Sequence, residues 1–482
     1  MSVVLVCPPN PSMRDPRIAP PLGLLYLVAW YRTYRGAGVS DPADWRVVDL
    51  NTACYQPDAP NGHWTHDFSI ARCLTEIPGG ADVYGLSLAS MQLPHGRALA
   101  RALRQREPQA TLVAGGSHAS ALPDECADPV AMSGGHFDVV VTQEGEQAFA
   151  DVLDTIVTGF RSVPSHWRRS ASGNGWIVRG RPVDRLDDLP FPAREKLDFH
   201  RYSRRIRGEA ATNIITSRGC PARCSFCQQD SLWGSGLRLN SPERVLAEVD
   251  DIARVTGIRN LLFLDDTLTA RRRDDLAAIC AGLRERGVLW RGWTRANLCV
   301  RPGDDAMLGM MADSGCQALC VGVESGSDRV LKALNKGTSV DVNSRAVRAV
   351  AGSGMDCRIS VMVGSPHETW EDVHQLVNFV AGHRDHLADW ILSSFVPLPG
   401  TPAWDDPDGH GLVIDKERAR AEGYRHFFVV GGAEQSGCVH RLADGSGPAD
   451  VQARHDYVQE SLLRLAPRRR REVTVGLEVE AS

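Results

Sequence analysis

Short unbroken apolar runs alternate, over the first third of the chain, with stretches in which apolar residues return every three or four positions. VVLVC (Val3–Cys7), WRVVDLN, DVYGLSLAS, TLVAGGSHAS and FDVVVTQEGE read as buried strands, each leading into a turn of small or polar residues. LGLLYLVAWYRTY and the stretch around His95–Arg106 have the helical period instead. Repeated β-loop-α units of this kind predict an α/β fold, with an open, doubly wound parallel sheet over residues 1–155. Residues 156–210 change character, with Gly173-Asn174-Gly175, Pro182, Pro190, Pro192 and several arginines, and predict a hairpin and an interdomain linker. From 211 to 404 the alternation resumes, with strands expected at NIITSR, NLLFLDD, WRGWTRAN, ALCVGVE, CRISVMVG and WILSSFVP. Six such units suit a partial (β/α)6 barrel better than a full eight-unit one. Residues 405–482 form a short, mixed C-terminal segment, and its arginine run at Pro467–Arg471 reads as a solvated helix end.

Composition narrows the class. The chain has 482 residues, 43% of them hydrophobic, and a formal charge of −5. That fits two or three well-filled domains and argues against a phosphate-driven nucleic-acid binder. No apolar run reaches the roughly 18–20 residues of a membrane span, and the first strand lacks the basic flank of a signal peptide. No membrane association and a cytoplasmic location are expected. Thirteen cysteines, an odd and sparse number, suggest a reducing compartment, not a disulfide scaffold.

Three of those cysteines are clustered. GCPARCSFCQQ places Cys220, Cys224 and Cys227 as C-x3-C-x2-C in a loop directly after a strand. Soft thiolates on one turn suit an iron–sulfur cube, and three of them leave one iron open. An open position is what metal chemistry requires, and the zinc-knuckle alternative lacks a fourth Cys or His at suitable spacing. The loop resembles that of the radical S-adenosylmethionine (SAM) superfamily. The resemblance implies a [4Fe-4S] cluster whose free iron chelates the amino and carboxylate groups of SAM, and reductive cleavage to a 5′-deoxyadenosyl radical. It also places the backbone of Phe226 against the adenine.

Further polar residues fall at strand ends, where barrel enzymes build their sites. Asp265 and Asp266 end the second barrel strand; they read equally as a helix N-cap, and the resemblance sets them near the SAM amino group. Arg295 and Asn297 end the third strand and suit a carboxylate or substrate clamp. Glu324 and Ser325 end the fourth, where a buried carboxylate needs a partner, and VES resembles the family's ribose motif. Gly364, in VMVGSPHET, resembles the fifth-strand glycine that lets the backbone approach adenine, and Leu398, in FVPLPGTP, the closing sixth-strand segment. Cys299, Cys316, Cys320 and Cys357 lie on or beside barrel strands and read mostly as core. Cys299 and Cys320 are the candidates for donating hydrogen or a proton to a substrate radical.

In the N-terminal domain, Pro21, Gly23, Ser87, Ser90, Gly115, Gly116, His118, Gln143, Glu144 and Gly145 all follow strands, where an open α/β sheet binds ligands. GxGxxG is absent, which argues against a nicotinamide cofactor. The pattern is similar to the cobalamin-binding domain of B12-type radical SAM enzymes and implies cobalamin there; the alternative is a domain that keeps the fold without the cofactor. D-x-H occurs, ending at His200, His374 and His410, but never as D-x-H-x-x-G, so no histidine of that motif is expected on cobalt.

The resemblance implies methylation of an unactivated carbon of a small, natural-product-like substrate, often in antibiotic biosynthesis, with one SAM supplying the methyl by way of cobalamin and a second the radical. The alternative is cobalamin-independent dehydration of a sugar (aminoglycoside) diol, as in the apramycin-type dehydratases, which would call for a partner reductase. A non-catalytic cluster-binding module is a third. Either enzyme implies an electron donor of the flavodoxin or ferredoxin type.

Overall fold

Strand and helix positions follow from where the chain can hide its apolar faces. The computed structural model describes residues 1–11, 13, 15–34, 41, 44–56, 65–234, 236–422, 424, 440–442 and 444–465; the arginine run at Pro467–Arg471 lies outside the described residues. The chain divides into two units. One comprises Met1–Ser203, Gln228–Gly234 and Glu417–Arg425, the other Arg204–Cys227, Ser235–Lys416 and His426–Ser482.

The first unit is built on strands β1 (Val3–Cys7), β2 (Arg46–Asp49), β3 (Val83–Ser87), β4 (Thr111–Gly115), β5 (Val139–Thr142), β6 (Arg168–Arg169) and β7 (Trp176–Arg179). They lie in the order β2-β1-β3-β4-β5-β7-β6. All neighbours are parallel except β6 and β7, with registers such as Val3↔Val83 and Leu86↔Ala114. The chain winds to one side of β1 and then to the other, so a switch point falls between β1 and β3. Helices α1 (Leu22–Tyr34), α2 (Leu93–Arg106) and α3 (Gly145–Val157) bury their apolar stripes, among them Leu25, Val28, Leu99, Leu103, Val152 and Leu153. The hairpin expected before the second domain is part of this sheet: β7 pairs with β5 (Val139↔Trp176), and β6 closes the edge with the Arg169 guanidinium 4.0 Å over the Trp176 ring.

The second unit carries β8 (Arg205–Ile206), β9 (Glu209–Ile214), β10 (Asn260–Phe263), β11 (Trp290–Arg295), β12 (Cys316–Glu324), β13 (Asp356–Val363) and β14 (Leu387–Ser394). β9 to β14 pair parallel in sequence order, as a curled half-barrel sheet, with β8 antiparallel at the edge. The crossover helices are α4 (Pro242–Thr256), α5 (Arg273–Glu285), α6 (Asp304–Asp313), α7 (Val340–Gly352) and α8 (Trp370–Gly382), followed by α9 (Pro448–Leu465). Local signals set their ends: the Ser241 side chain caps the Arg244 N–H, Pro242 opens α4, and Gly257 closes it in the left-handed region. Ile214, Leu261, Phe263, Leu319, Val321, Ile359 and Val361 belong to the core under the helices. Strand alternation therefore turns Asn213, Leu262, Trp293, Arg295, Cys320, Gly322, Arg358 and Ser360 to the opposite, concave face.

No helix among the described residues is long and apolar enough to cross a membrane. Trp290, 1% exposed, anchors the core: its ring lies 5.3 Å from that of Phe263, and its Nε1 donates to the Ser314 carbonyl at 3.2 Å. Trp290→Ala is expected to cost about 3–5 kcal/mol, read as a lowered Tm in thermal unfolding under reducing conditions.

Candidate functional site

The cysteine loop leaves β9 under the control of one carboxylate. Asp265, just past β10, is buried; its Oδ1 accepts the N–H groups of Thr216 (2.6 Å) and Ser217 (3.0 Å), its Oδ2 accepts the Thr216 hydroxyl, and Arg271 lies 3.5 Å away. Asp265 is thus occupied in fixing the strand exit. Its neighbour Asp266 points the other way and is open at the surface, yet desolvation around its carboxyl, and then the Asp265 charge, push it up to about 6.

Beyond that exit, Cys220 and Cys227 are half-buried and Cys224 is buried, none of the three in a disulfide. The loop is pinned along its length. The Ser225 N–H donates to the Leu334 carbonyl (3.0 Å), the Asn335 amide to the Arg223 carbonyl (2.7 Å), and the Ala403 N–H to the Ser225 carbonyl (3.0 Å). Among the described residues no three Cys, His, Asp or Glu side chains converge at single-ion spacing. Three soft thiols on one short, pinned loop suit an iron–sulfur cube with one iron left open.

Around the loop the structure gathers several of the expected residues. Arg295, at the end of β11, donates from Nη1 to the Cys224 sulfur (3.3 Å) and from Nη2 to the Lys336 carbonyl. Glu324 ends β12 in the left-handed region (φ +62°) and is buried; it receives the Lys336 ammonium at 2.6 Å on Oε1 and the Ser360 hydroxyl at 2.9 Å on Oε2. Ser325 is buried beside it and accepts the Ser327 N–H (3.2 Å). Lys336 also stands 5.5 Å from the Phe226 ring. A side chain at Gly322 would put its Cβ 2.7 Å from Lys336 Nζ and 2.8 Å from Glu324 Oε1, so the ends of both partners would have to shift to admit it. Lys336 and Ser360 escaped the sequence reading. The buried VES carboxylate was the available signal that a cation would be needed, but not which one.

The remaining expected residues are more scattered. Asn297 lines a cleft of about 470 Å³ with Lys332, Asn335 and Ser339, and its Oδ1 has no partner. Gly364 (φ +75°) follows β13, and half-buried Leu398 caps its own turn by accepting the Thr401 hydroxyl (2.7 Å). The two candidate thiols separate. Cys299 lies in the packed core under the helices, with its sulfur 3.6 Å from the Thr294 hydroxyl. Cys320 turns to the concave face, level with Trp293 and Arg358. Burial pushes both thiols up to about 12.

In the first unit, the turn residues sit at the carboxyl ends of the strands. Pro21 and Gly23 flank the start of α1, Ser87 ends β3, Gly115 and Gly116 end β4, and Gly145 opens α3. Ser90 and His118 are brought together, with Ser90 Oγ 3.0 Å from His118 Nδ1. His118 is fully buried, its Nε2 has no partner, and burial pushes its pKa down to about 3, so the ring is neutral. The Tyr424 ring stands edge-on 4.9 Å away, and its hydroxyl donates to Glu125 (2.8 Å). Gln143 takes the left-handed region (φ +63°); its N–H donates to Ser120 (2.8 Å), and its Oε1 accepts from Arg179 (3.0 Å). Glu144 accepts the Val183 N–H (3.2 Å), which ties it to the chain. An orphaned, neutral imidazole nitrogen among small turn residues fits the polar periphery of cobalamin.

Known proteins give the same picture. Residues 19–153 match the B12 binding domain family and 214–380 the radical SAM superfamily. The chain thus carries a B12-binding domain followed by a radical SAM domain, and these two domains imply a [4Fe-4S] cluster, SAM and cobalamin as cofactors. It is 26% identical over 424 residues to an uncharacterised methyltransferase of Pyrococcus horikoshii, covering 86% of this chain and 84% of that one. Its fold is similar to OxsB, a cobalamin-dependent SAM radical enzyme solved with aquacobalamin and SAM bound (TM-score 0.66, 16% identity, 95% of this chain and 66% of that chain). It is also similar to the radical SAM methyltransferase TsrM from Kitasatospora setae, solved with cobalamin and a [4Fe-4S] cluster (TM-score 0.60, 18% identity, 86% and 81%). These relatives do not favour the dehydration alternative.

Lys336→Met is expected to leave Glu324 buried without its cation, at a cost of about 3–5 kcal/mol. A lowered Tm, with less iron retained per chain after reconstitution, is the expected outcome, and Lys336→Arg should restore much of both.

Proposed function

We propose that this protein is a cobalamin-dependent radical SAM C-methyltransferase acting on a small molecule. The observation that carries the reading is one chain that joins a pinned three-thiol loop to a B12-binding domain. When bound, the cluster supplies the electron that breaks the SAM sulfonium, and cobalamin supplies the methyl carrier.

The chain's own residues hold, orient and shield. Cys220, Cys224 and Cys227 ligate the cluster, and the Arg295 guanidinium holds Cys224 in place by a hydrogen bond to its sulfur. The Asp266 carboxylate, free where Asp265 is occupied, receives the SAM ammonium. Glu324 and Ser325 face the ribose hydroxyls, with Lys336 and Ser360 holding the Glu324 carboxylate in place. Asn297 offers its free amide oxygen from the end of the third strand, and the backbone at Phe226, Gly364 and Leu398 meets the adenine. In the first unit Pro21, Gly23, Ser87, Ser90, Gly115, Gly116, Gln143, Glu144 and Gly145 shape the cobalamin site. His118 gives or takes one hydrogen bond there through Nε2. Cys320 keeps its proton and stands on the concave face as a thiol suited to donate hydrogen. A reduced flavodoxin or ferredoxin, in a cytoplasmic setting, delivers the electron.

Two measurements test this. Anaerobic reconstitution with and without cobalamin should give S-adenosylhomocysteine and a methylated product only with cobalamin. 5′-Deoxyadenosine alone, with no need for cobalamin, would return the dehydration reading. Separately, only the Asp266 anion can pair with an ammonium, so SAM affinity should weaken as the pH falls through about 6. Asp266→Asn should bind weakly and without that step.

A further inference from the structure

The C-terminal segment, expected only as a short mixed tail, carries three residues that close on the loop after β13. Val451, on the first turn of α9, packs against Gly364: a Cβ there would lie 2.6 Å from Val451 Cγ1, and φ is +75°. One helical turn later Arg454, 2% exposed, donates from Nη1 to the Glu368 carbonyl at 2.9 Å, with Glu368 Oε1 3.5 Å away. That same Oε1 accepts the Gly364 N–H at 2.8 Å. His440, also buried, reaches the Gly364 backbone from the other end of the segment. Glu368 is itself buried; burial pushes its carboxyl up to about 7, against the pull of the Gly364 N–H and of Arg454. The far half of α9 is fixed independently, through Val458 and Leu462 in the core under the helices.

Each contact alone is ordinary packing; together they specify the loop. Gly364 has no side chain with which to brace itself, and its N–H is committed to Glu368. A buried carboxylate of this kind holds its place only while its cation does, and that cation comes from α9. We propose that α9 is a working part of the SAM site, with Arg454 as a positioning residue. Through Glu368 it holds the Gly364 loop at the height where its backbone meets the adenine. This rests on the reading that Gly364 lies beside the adenine.

The test uses the reconstituted full-length enzyme, with Arg454→Met, Arg454→Lys and Glu368→Gln, and with Arg464→Ala on the exposed side of α9 as control. Iron content and the cluster's EPR signal report the cysteine loop, amide hydrogen exchange over residues 364–369 reports the clamp, and equilibrium dialysis of SAM reports the site. In Arg454→Met, exchange should speed up and SAM Kd rise by about tenfold, the scale of one lost charged hydrogen bond, with the cluster intact. The rate of 5′-deoxyadenosine formation at saturating SAM should hold, so that KM moves and kcat does not. Arg454→Lys should recover part of the loss, and Arg464→Ala should match the wild type. Unchanged exchange in a variant that retains its cluster overturns the clamp. Faster exchange with unchanged SAM Kd leaves the clamp standing but removes Gly364 from the SAM site, and the proposal with it. If Arg454→Met fails to fold, Glu368→Gln, which keeps an acceptor for Gly364 but loses the charge, decides by the same two readouts.

Discussion

A buried ion pair between Glu324 and Lys336 organises the catalytic half of the molecule. Neither residue could stay in place alone, because an unpaired charge at that depth is costly and would relax or neutralise. Held together, they lock the turn 334–336, and that turn is the frame of the cysteine loop. The Leu334 carbonyl accepts the Ser225 N–H, the Asn335 side-chain amide donates to the Arg223 carbonyl, and the Lys336 carbonyl accepts from Arg295, which also reaches Cys224. The cost of burying two charges is offset by their mutual attraction and by the Ser360 hydrogen bond, and the pair ties together segments that are distant in sequence. Gly322 follows from the same pair, since any side chain there would meet both partners.

Such an arrangement explains how a short loop of small and polar residues can present three thiols without a fold of its own. A loop free in solution would lose considerable entropy on binding a cluster. Here the loss is met beforehand by Asp265 at the strand exit, by the 334–336 turn in the middle, and by Ala403 on the far side. The second aspartate is thereby left uncommitted. Asp265 and Asp266 are adjacent, so one faces inward to the backbone and Arg271 while the other faces the surface, and only the latter is free to meet a ligand.

Much of this was legible in the sequence, and what was not has a physical cause. β1 to β5 and β9 to β14 are short apolar runs ending in turn residues, a local pattern that propensity and burial both favour, and they were located from it, whereas the two-residue edge strands Arg168–Arg169 and Arg205–Ile206 carry no such pattern and were not. The cysteine spacing is local as well. Lys336, Ser360, Arg454 and His440 were not visible, because each acquires its meaning only from a partner more than ten residues away. A lysine after a helix or an arginine inside one reads as a solvated face unless something buried calls for its charge. The N-terminal hairpin was recognised from Gly173-Asn174-Gly175, yet its pairing with β5 depends on a register that no local pattern encodes.

The two thiols show the same limit from the other side. Cys299 and Cys320 look alike in the sequence, each near a strand and each flanked by apolar residues. Strand alternation decides between them: Cys320 shares its face with Trp293 and Arg295, while Cys299, beyond the end of β11, folds back under the helices. Both are held protonated by burial, so ionisation does not distinguish them. Chemistry at this site is therefore sorted by which face of a strand a side chain occupies, more than by how reactive its group is. The concave face thus carries a protonated thiol, an indole, a hydroxyl and charged side chains, while Cys299 stays in the core behind the sheet.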